Sequence, residues 1–348
     1  MNVACLSRIG VAIFCILMLG RPTFAQDGIA DFYRGKSFIV VIGATPGGGY
    51  DTYARVIARF LGKHIPGNPA IVAQNMPGAS SNVAAAWIYN AAPKDGLSMA
   101  AITPGALMEP LLGDKVQIKI DATKFNYVGS ATRDVFICLA RKDSPVQRFE
   151  DVFSTQLIIG AVAEGGSARD FPLLLNNVLG TRFKIISGYP GNRELTFAVE
   201  KGEVQGVCGN SYAGLLVIRA DWFKADGIAR VIVQEDLNGH PALNKAGVPL
   251  AIQFAKTDEA RQVISLLYEE LRFARPYVMA PGVAPEKVSA ISKAFADVMR
   301  DPDFQAEATR MNLEIVDPLD GPELRSIVQR LYDAPEGVVE KVKRALKD

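Results

Sequence analysis

Three consecutive glycines, Gly47, Gly48 and Gly49, stand between a β-branched run, Phe38 to Ile42, and a helix-period stripe formed by Tyr53, Val56, Ile57, Phe60 and Leu61. Without Cβ atoms such a loop can adopt positive φ and let a ligand come close to main-chain N–H groups. The helix that follows presents unpaired N–H groups and a partial positive charge, so the chemistry on offer is the binding of an anion. The same composition also serves as a plain tight turn. Two familiar anion loops are excluded by spacing, since neither GxxxxGK[ST] nor GxGxxG is present. Asp51 can face a ligand, or it can offset the helix dipole and pair with Arg55 four residues on; the second role is the commoner one for an acid in a first turn.

Covalent chemistry has less material. His64 and His240 are the only histidines, too scattered for a histidine-rich metal site, and CxxC spacing is absent. Gly209-Asn210-Ser211-Tyr212-Ala213 is like a nucleophile elbow with its last glycine lost; His240 could serve as base, but no acid is specified. The expectation is a binding protein with no catalytic residue, no metal and no cofactor. Arg133, Arg169 and Arg193 are candidate carboxylate clamps. Tyr189 offers a hydroxyl and an aromatic wall.

The elements that must position these residues repeat a strand–loop–helix unit. Ala70 to Gln74 reads as a strand, Asn75 to Ala79 as a loop, and Ser80 or Ser81 as the cap of an alanine-rich helix through Asn90. Leu97 to Thr103 is a third strand, ending in Pro104-Gly105. After a charged, proline-containing break, Arg141 to Pro145, the pattern returns. Strands are expected over Leu157 to Val162, Phe183 to Ser187 and Val204 to Cys208, helices over Ala168 to Leu179 and Glu194 to Lys201, and loops at Glu164 to Ser167 and Gly188 to Asn192. Ile228 to Gln234 can return the chain toward the first half. Helices follow over Asp258 to Phe273, Pro285 to Met299 and Pro322 to Leu346, the last ones wrapping the outside, with Arg275 to Ala280 extended between the first two. In open α/β sheets, ligands bind at such strand ends, and two units of this kind imply a cleft between them.

The first 25 residues read as a leader, with Arg8 in the n-region, the apolar Ile9 to Gly20, and Thr23-Phe24-Ala25 as a cleavage site before Gln26. The whole chain has 38 basic and 37 acidic residues; the leader holds two of the basic ones, Arg8 and Arg21, and no acid, so the remainder carries a formal −1. That balance argues against nucleic acid as a partner. Cys138 and Cys208 remain after cleavage, in an oxidising compartment where they can pair or stay as separate buried thiols.

The leader, PGGGYDTYAR (Pro46 to Arg55), QNMPGASSNVAA (Gln74 to Ala85), APKDG (Ala92 to Gly96), RPYVMAPGVAPEKV (Arg275 to Val288) and DPDF (Asp301 to Phe304) together resemble the substrate-binding receptors of tripartite tricarboxylate transporters, the Bug family. The resemblance spans nearly all of the chain after the leader. It implies an α/β, two-lobed periplasmic binding protein-like fold (type 2) with the ligand cleft between lobes: 26–133 and 235–348 as one lobe, 134–234 as the other. It implies a monomer that closes on a small carboxylate and delivers it to integral membrane transporter subunits; a periplasmic ligand sensor or interaction protein, which needs the same closing cleft, and a secreted serine esterase using Ser211 are the alternatives. Carried over as ligand-binding are Pro46, Gly47, Gly48, Asp51, Asn75, Pro77, Gly78, Ala79 and Ser80, with Gly166, Ser167, Tyr189 and Gly191 in the second lobe; Thr45 and Thr103 belong with them. The chain departs from the family pattern at Asp170, where many members have histidine, at Gln205, where aspartate is common, and at Ser80-Ser81, which replace a glycine-rich continuation.

Overall fold

The computed structural model describes residues 24–113 and 119–347. The leader expected over 1–25 lies, except for its last two residues, outside the described residues. Two sheets organise the chain. The first contains β1 (Ser37–Ile42), β2 (Ala70–Asn75), β3 (Ser98–Ala101), β4 (Asn126–Ser130), β10 (Pro276–Met279) and β11 (Leu319–Asp320), in the order β11-β4-β10-β3-β1-β2. The second contains β5 (Phe136–Arg141), β6 (Leu157–Ala161), β7 (Phe183–Ser187), β8 (Gly206–Ser211) and β9 (Ala229–Glu235), in the order β7-β6-β8-β5-β9. In each sheet the strand–loop–helix units pair in parallel, β1 with β2 and β3, β6 with β7 and β8. Their binding-loop ends therefore share one edge. Segment 229–235, expected to lead back to the first half, pairs antiparallel with β5 at the edge of the second sheet.

The helices are α1 (Phe24–Tyr33), α2 (Gly49–His64), α3 (Asn82–Ala86), α4 (Pro104–Leu112), α5 (Ser167–Leu179), α6 (Asn192–Glu200), α7 (Tyr212–Arg219), α8 (Pro241–Lys245), α9 (Asp258–Tyr268), α10 (Pro285–Arg300), α11 (Pro302–Arg310), α12 (Gly321–Tyr332) and α13 (Glu336–Ala345). Phe38, Val40, Val41 and Ile42 are all buried because helices cover both faces of the first sheet, the usual setting of a parallel strand rich in β-branched residues. The helix expected from Ser80 starts later: Ala79, Ser80 and Ser81 hold φ of 43°, 53° and 77°, so α-helix begins only at Asn82.

The lobes share a continuous core. Val41 and Ile102 of the first connect through Phe136 and Phe171 to Tyr268 and Val342. Helix α13 lies on the outside with one face docked on α5: Asn177 Nδ2 donates to the Ala345 carbonyl at 2.9 Å, and Arg169 Nη1 to the Leu346 carbonyl at 3.1 Å. Where the chain crosses between sheets, Arg275 Nη2 donates to Asp134 Oδ2 and Ser211 Oγ, both at 2.9 Å, and its guanidinium lies 4.1 Å from the Tyr50 ring centre and 4.8 Å from that of Tyr53. Arg275, Asp134 and Ser211 are all buried. Removing one member of such a buried charge network costs about 3–5 kcal/mol. Cys138 and Cys208, on neighbouring strands β5 and β8, form a disulfide.

Candidate functional site

The strand-end loops of both sheets converge on a cavity of about 390 Å³. Four helices begin at its wall: α2 behind Gly48, α4 behind Thr103, α5 behind Gly166 and α6 behind Gly191. None of these four has a side chain hydrogen-bonded across its N-terminus. Among the other helices, Ser211 caps α7, His240 α8, Thr257 α9, Asp301 α11 and Asp320 α12, while α3, α10 and α13 also lack a side-chain cap; what sets the four apart is that they meet at one space. First-turn N–H groups left without a partner are donors available to an anion, and four positive dipole ends around one space reinforce each other.

Of the residues read from the sequence as ligand-binding, Thr45, Gly48, Pro77, Gly78, Ala79, Ser80, Thr103, Gly166, Ser167, Tyr189 and Gly191 line this cavity. Pro46, Gly47, Asp51 and Asn75 are not among its lining residues and stand behind the loops that are. Asp51 is only 4 % exposed, and it accepts hydrogen bonds from the Gly47 N–H at 2.8 Å, Arg55 Nε at 2.9 Å and Asn75 Nδ2 at 2.7 Å. Asn75 Nδ2 also donates to the Ala44 carbonyl at 2.9 Å. With these three donors Asp51 fixes the glycine loop from behind and joins it to the β2 loop. Pro46 accepts a hydrogen bond from Arg193 Nη1 at 3.4 Å across the cleft.

The other candidate arginines stand away from the cavity. Arg133 pairs with Asp317 at 3.1 Å, and Arg169 pairs with Asp170 at 2.9 Å. Ser211, the elbow-like serine, caps α7 and contacts Asp134 and Arg275, whereas His240 stands 3.3 Å from Glu314. Cys138, Cys208 and Glu235 converge as a metal cluster might, but the two sulfurs are bonded to each other.

Sequence reasoning missed several lining residues, among them Tyr50, Ser81, Phe136 and Glu270. Glu270 is 3 % exposed, and burial, aided by the neighbouring charge of Asp170, pushes its carboxyl up to about 8. The signal was present, because Glu270 falls on the helical apolar stripe of Val263, Ile264, Leu267 and Leu271, where an acid is out of place.

No family model matches the chain, and no curated protein matches its sequence significantly. Solved structures match its shape along most of its length. MatC from Rhodopseudomonas palustris with bound malate is 20 % identical, with a TM-score of 0.68 over 87 % of this chain and 99 % of that one. A second R. palustris protein, with adipate, is 19 % identical with a TM-score of 0.68 over 88 % and 97 %. The periplasmic binding protein BugD is 16 % identical with a TM-score of 0.67 over 90 % and 98 %. The fold is that of a two-lobed periplasmic binding protein. In that fold the cavity here is the cleft between the lobes, and its rims touch: Ser80 Oγ donates to the Ala163 carbonyl at 3.1 Å, and the backbones at Gly105 and Gly165 approach so closely that a Cβ at Gly105 would strike the Gly165 carbonyl.

Proposed function

We propose that this chain is a periplasmic receptor of the tripartite tricarboxylate transporter (Bug) type that captures a small carboxylate between its lobes. The lobes divide near residues 134 and 235, where the chain crosses between sheets. The observation that carries the reading is the set of four uncapped helix N-termini around one cavity. Structural neighbours holding malate and adipate support it. In the open state the loop N–H groups are hydrated; a carboxylate replaces that water, bridges Gly48 and Ser80 on one lobe to Ser167 and Gly191 on the other, and stabilises closure by hinge motion. The closed monomer then docks on membrane transporter subunits, with no covalent step. The leader directs export; a ligand sensor would use the same closing cleft, and the engagement of Ser211 by Asp134 and Arg275 favours a structural role for that serine over an esterase nucleophile.

A thermal-shift screen of mono-, di- and tricarboxylates, amino acids and aromatic acids tests the reading. A ligand at a hundredfold excess over its dissociation constant stabilises the folded state by about 2.7 kcal/mol, a clear rise in melting temperature. A flat response to every acid overturns it.

A further inference from the structure

The strand behind the second-lobe rim is irregular at one point. Ile137 of β5 pairs with Asn210 of β8, and Leu139 with Val207, so the single residue between them on β5, Cys138, faces two on β8, Cys208 and Gly209. That is a β-bulge, a device that bends a strand and re-aims what it carries, often beside a functional site. Gly209 takes φ +58°, and side chains engage both of its backbone polar groups. Its N–H donates to Glu235 Oε2 at 2.5 Å, and its carbonyl accepts from Ser167 Oγ at 2.7 Å.

Three elements are therefore joined at one glycine. Ser167 is the first residue of α5 and lines the cavity, but its hydroxyl is spent on Gly209, so what it offers a ligand is the α5 N-terminus. The approach is tight: a Cβ on Gly209 would stand 1.9 Å from the Ser167 carbonyl oxygen. Glu235 ends β9, near the point where the chain crosses between sheets, and it is wholly buried. The third tie is covalent, because Cys208, immediately before Gly209, is bonded to Cys138, and both are wholly buried. Without that bond the two strands can return to regular pairing by a step of one residue, about 3.3 Å, which carries the Gly209 carbonyl away from Ser167. A helix N-terminus displaced on that scale no longer meets a carboxylate held by the first-lobe loops, since N–H to oxygen contacts fail beyond about 3.2 Å between heavy atoms.

We propose that the Cys138–Cys208 disulfide is a positioning element of the binding cleft: it pins the β8 bulge, and through the Gly209 carbonyl and the Ser167 hydroxyl the bulge sets where the α5 N-terminus meets the ligand's carboxylate. This rests on the carboxylate-receptor reading above. A disulfide that only braced the sheet would be indifferent to the Ser167 hydroxyl. One that positions the site is energetically coupled to it, and coupling of that kind is read from a double-mutant cycle.

Calorimetric titration of the full chain lacking its leader tests this, with acetate, benzoate, succinate, adipate, citrate and glutamate as probes, at a temperature where circular dichroism shows each variant folded. With the disulfide intact, Ser167→Ala should weaken the tightest-binding probe roughly tenfold, and Ser167→Thr, which keeps the hydroxyl, should restore most of that loss. Cys138→Ala with Cys208→Ala should weaken the same probe roughly tenfold or more, and adding Ser167→Ala to that pair should cost nothing further. If alanine at both cysteines does not fold, Cys138→Val with Cys208→Ala, which refills the lost volume, takes its place in the cycle. Unchanged affinity in the disulfide-free protein, whatever its melting temperature, overturns this proposal alone. So does a full second loss from Ser167→Ala in that background, which would make the hydroxyl a direct contact, or an affinity unmoved by Ser167→Ala with the disulfide intact. No binding of any of the six probes by the unaltered protein overturns the receptor reading with it.

Discussion

On the first-lobe rim every loop is tied by side chains to its neighbour, whereas the second-lobe rim rests mainly on glycine conformations. In the first lobe Ser81 Oγ donates to the Gly43 carbonyl at 2.7 Å and accepts from the Thr103 N–H at 3.2 Å, Thr103 Oγ1 donates to the Ser80 carbonyl at 2.8 Å, and Asp51 gathers the glycine loop. Three consecutive non-glycine residues, Ala79 to Ser81, are held there at positive φ. Such conformations cost of order 1–3 kcal/mol each and persist only where surrounding contacts over-determine them. In the second lobe the positive φ values fall on Gly165 and Gly188, where they cost little, and the side-chain ties are Ser167 to the Gly209 carbonyl at 2.7 Å and Tyr189 to Glu203 at 2.6 Å. The difference teaches where precision is stored: the first lobe's rim is a platform preset by side-chain ties, and the second's rests on glycines, whose backbone has more freedom.

The largest effect should come from the frame the two rims share. Arg275→Ala leaves Asp134 buried without its cation, and urea unfolding should report a loss of about 3–5 kcal/mol. A loss under about 1 kcal/mol would mean that the crossing network does not hold the lobes. Next is Gly48→Val. Gly48 has φ −81° and only the Thr45 carbonyl, at 3.6 Å, near an added Cβ, so the fold should tolerate the change. The cavity wall should not, and ligand affinity should fall at least a hundredfold with the melting temperature of the free protein nearly unchanged. Retained affinity would remove the platform's glycine loop from the site.

Much of this architecture is legible in residue order. The β-branched runs at Phe38 and Leu157 and the glycines after them place both sheets' binding edges, because parallel strands buried on both faces leave a strong apolar signal. Other parts depend on tertiary context. Segment 229–235 has the composition of a strand, but only its antiparallel pairing with β5 assigns it to the second sheet. Helix α13 looks amphipathic and external, yet its apolar face is spent on α5 and α9. Asp51 could be read as contact or support, and of the three donors around it only Arg55, four residues on, was legible in the sequence. Glu270 stayed hidden because it comes from a segment remote from the glycine loops, brought to the cavity by the crossing of the chain.

Paired truncations measure the contrast between rims directly. Ser81→Ala removes two hydrogen bonds that hold a strained loop, and should cost about 2 kcal/mol of stability, while Ser167→Ala, losing one bond on an unstrained loop, should cost about 1 kcal/mol or less. Equal losses in denaturant titration would erase the distinction between platform and glycine-borne rim.

The smallest effect separates an acid of the first lobe from one of the second sheet. In the first lobe, Asp301 caps α11 and pairs with Lys63 at 2.6 Å and His64 at 2.7 Å, which holds its carboxyl well below the usual range. Its contribution is present above about pH 4 and is lost as pH falls. At the end of β9 in the second sheet, burial pushes Glu235 up to about 8, with the Gly209 N–H as its donor partner. A carboxyl whose folded value lies above its unfolded one binds more protons folded than unfolded. Stability from Glu235 is therefore complete below about pH 4 and declines as pH rises toward 8, by about 1.4 kcal/mol per pH unit at most. Thermal unfolding followed from pH 5 to 8 should show this decline, to which the raised carboxyls of Glu270 and Asp170 add, and Glu235→Gln should lessen it by one proton's share while leaving the acid limb set by Asp301 in place. If Glu235→Gln leaves the slope untouched, the second sheet holds its acid ionised, and the contrast in acidity with Asp301 disappears.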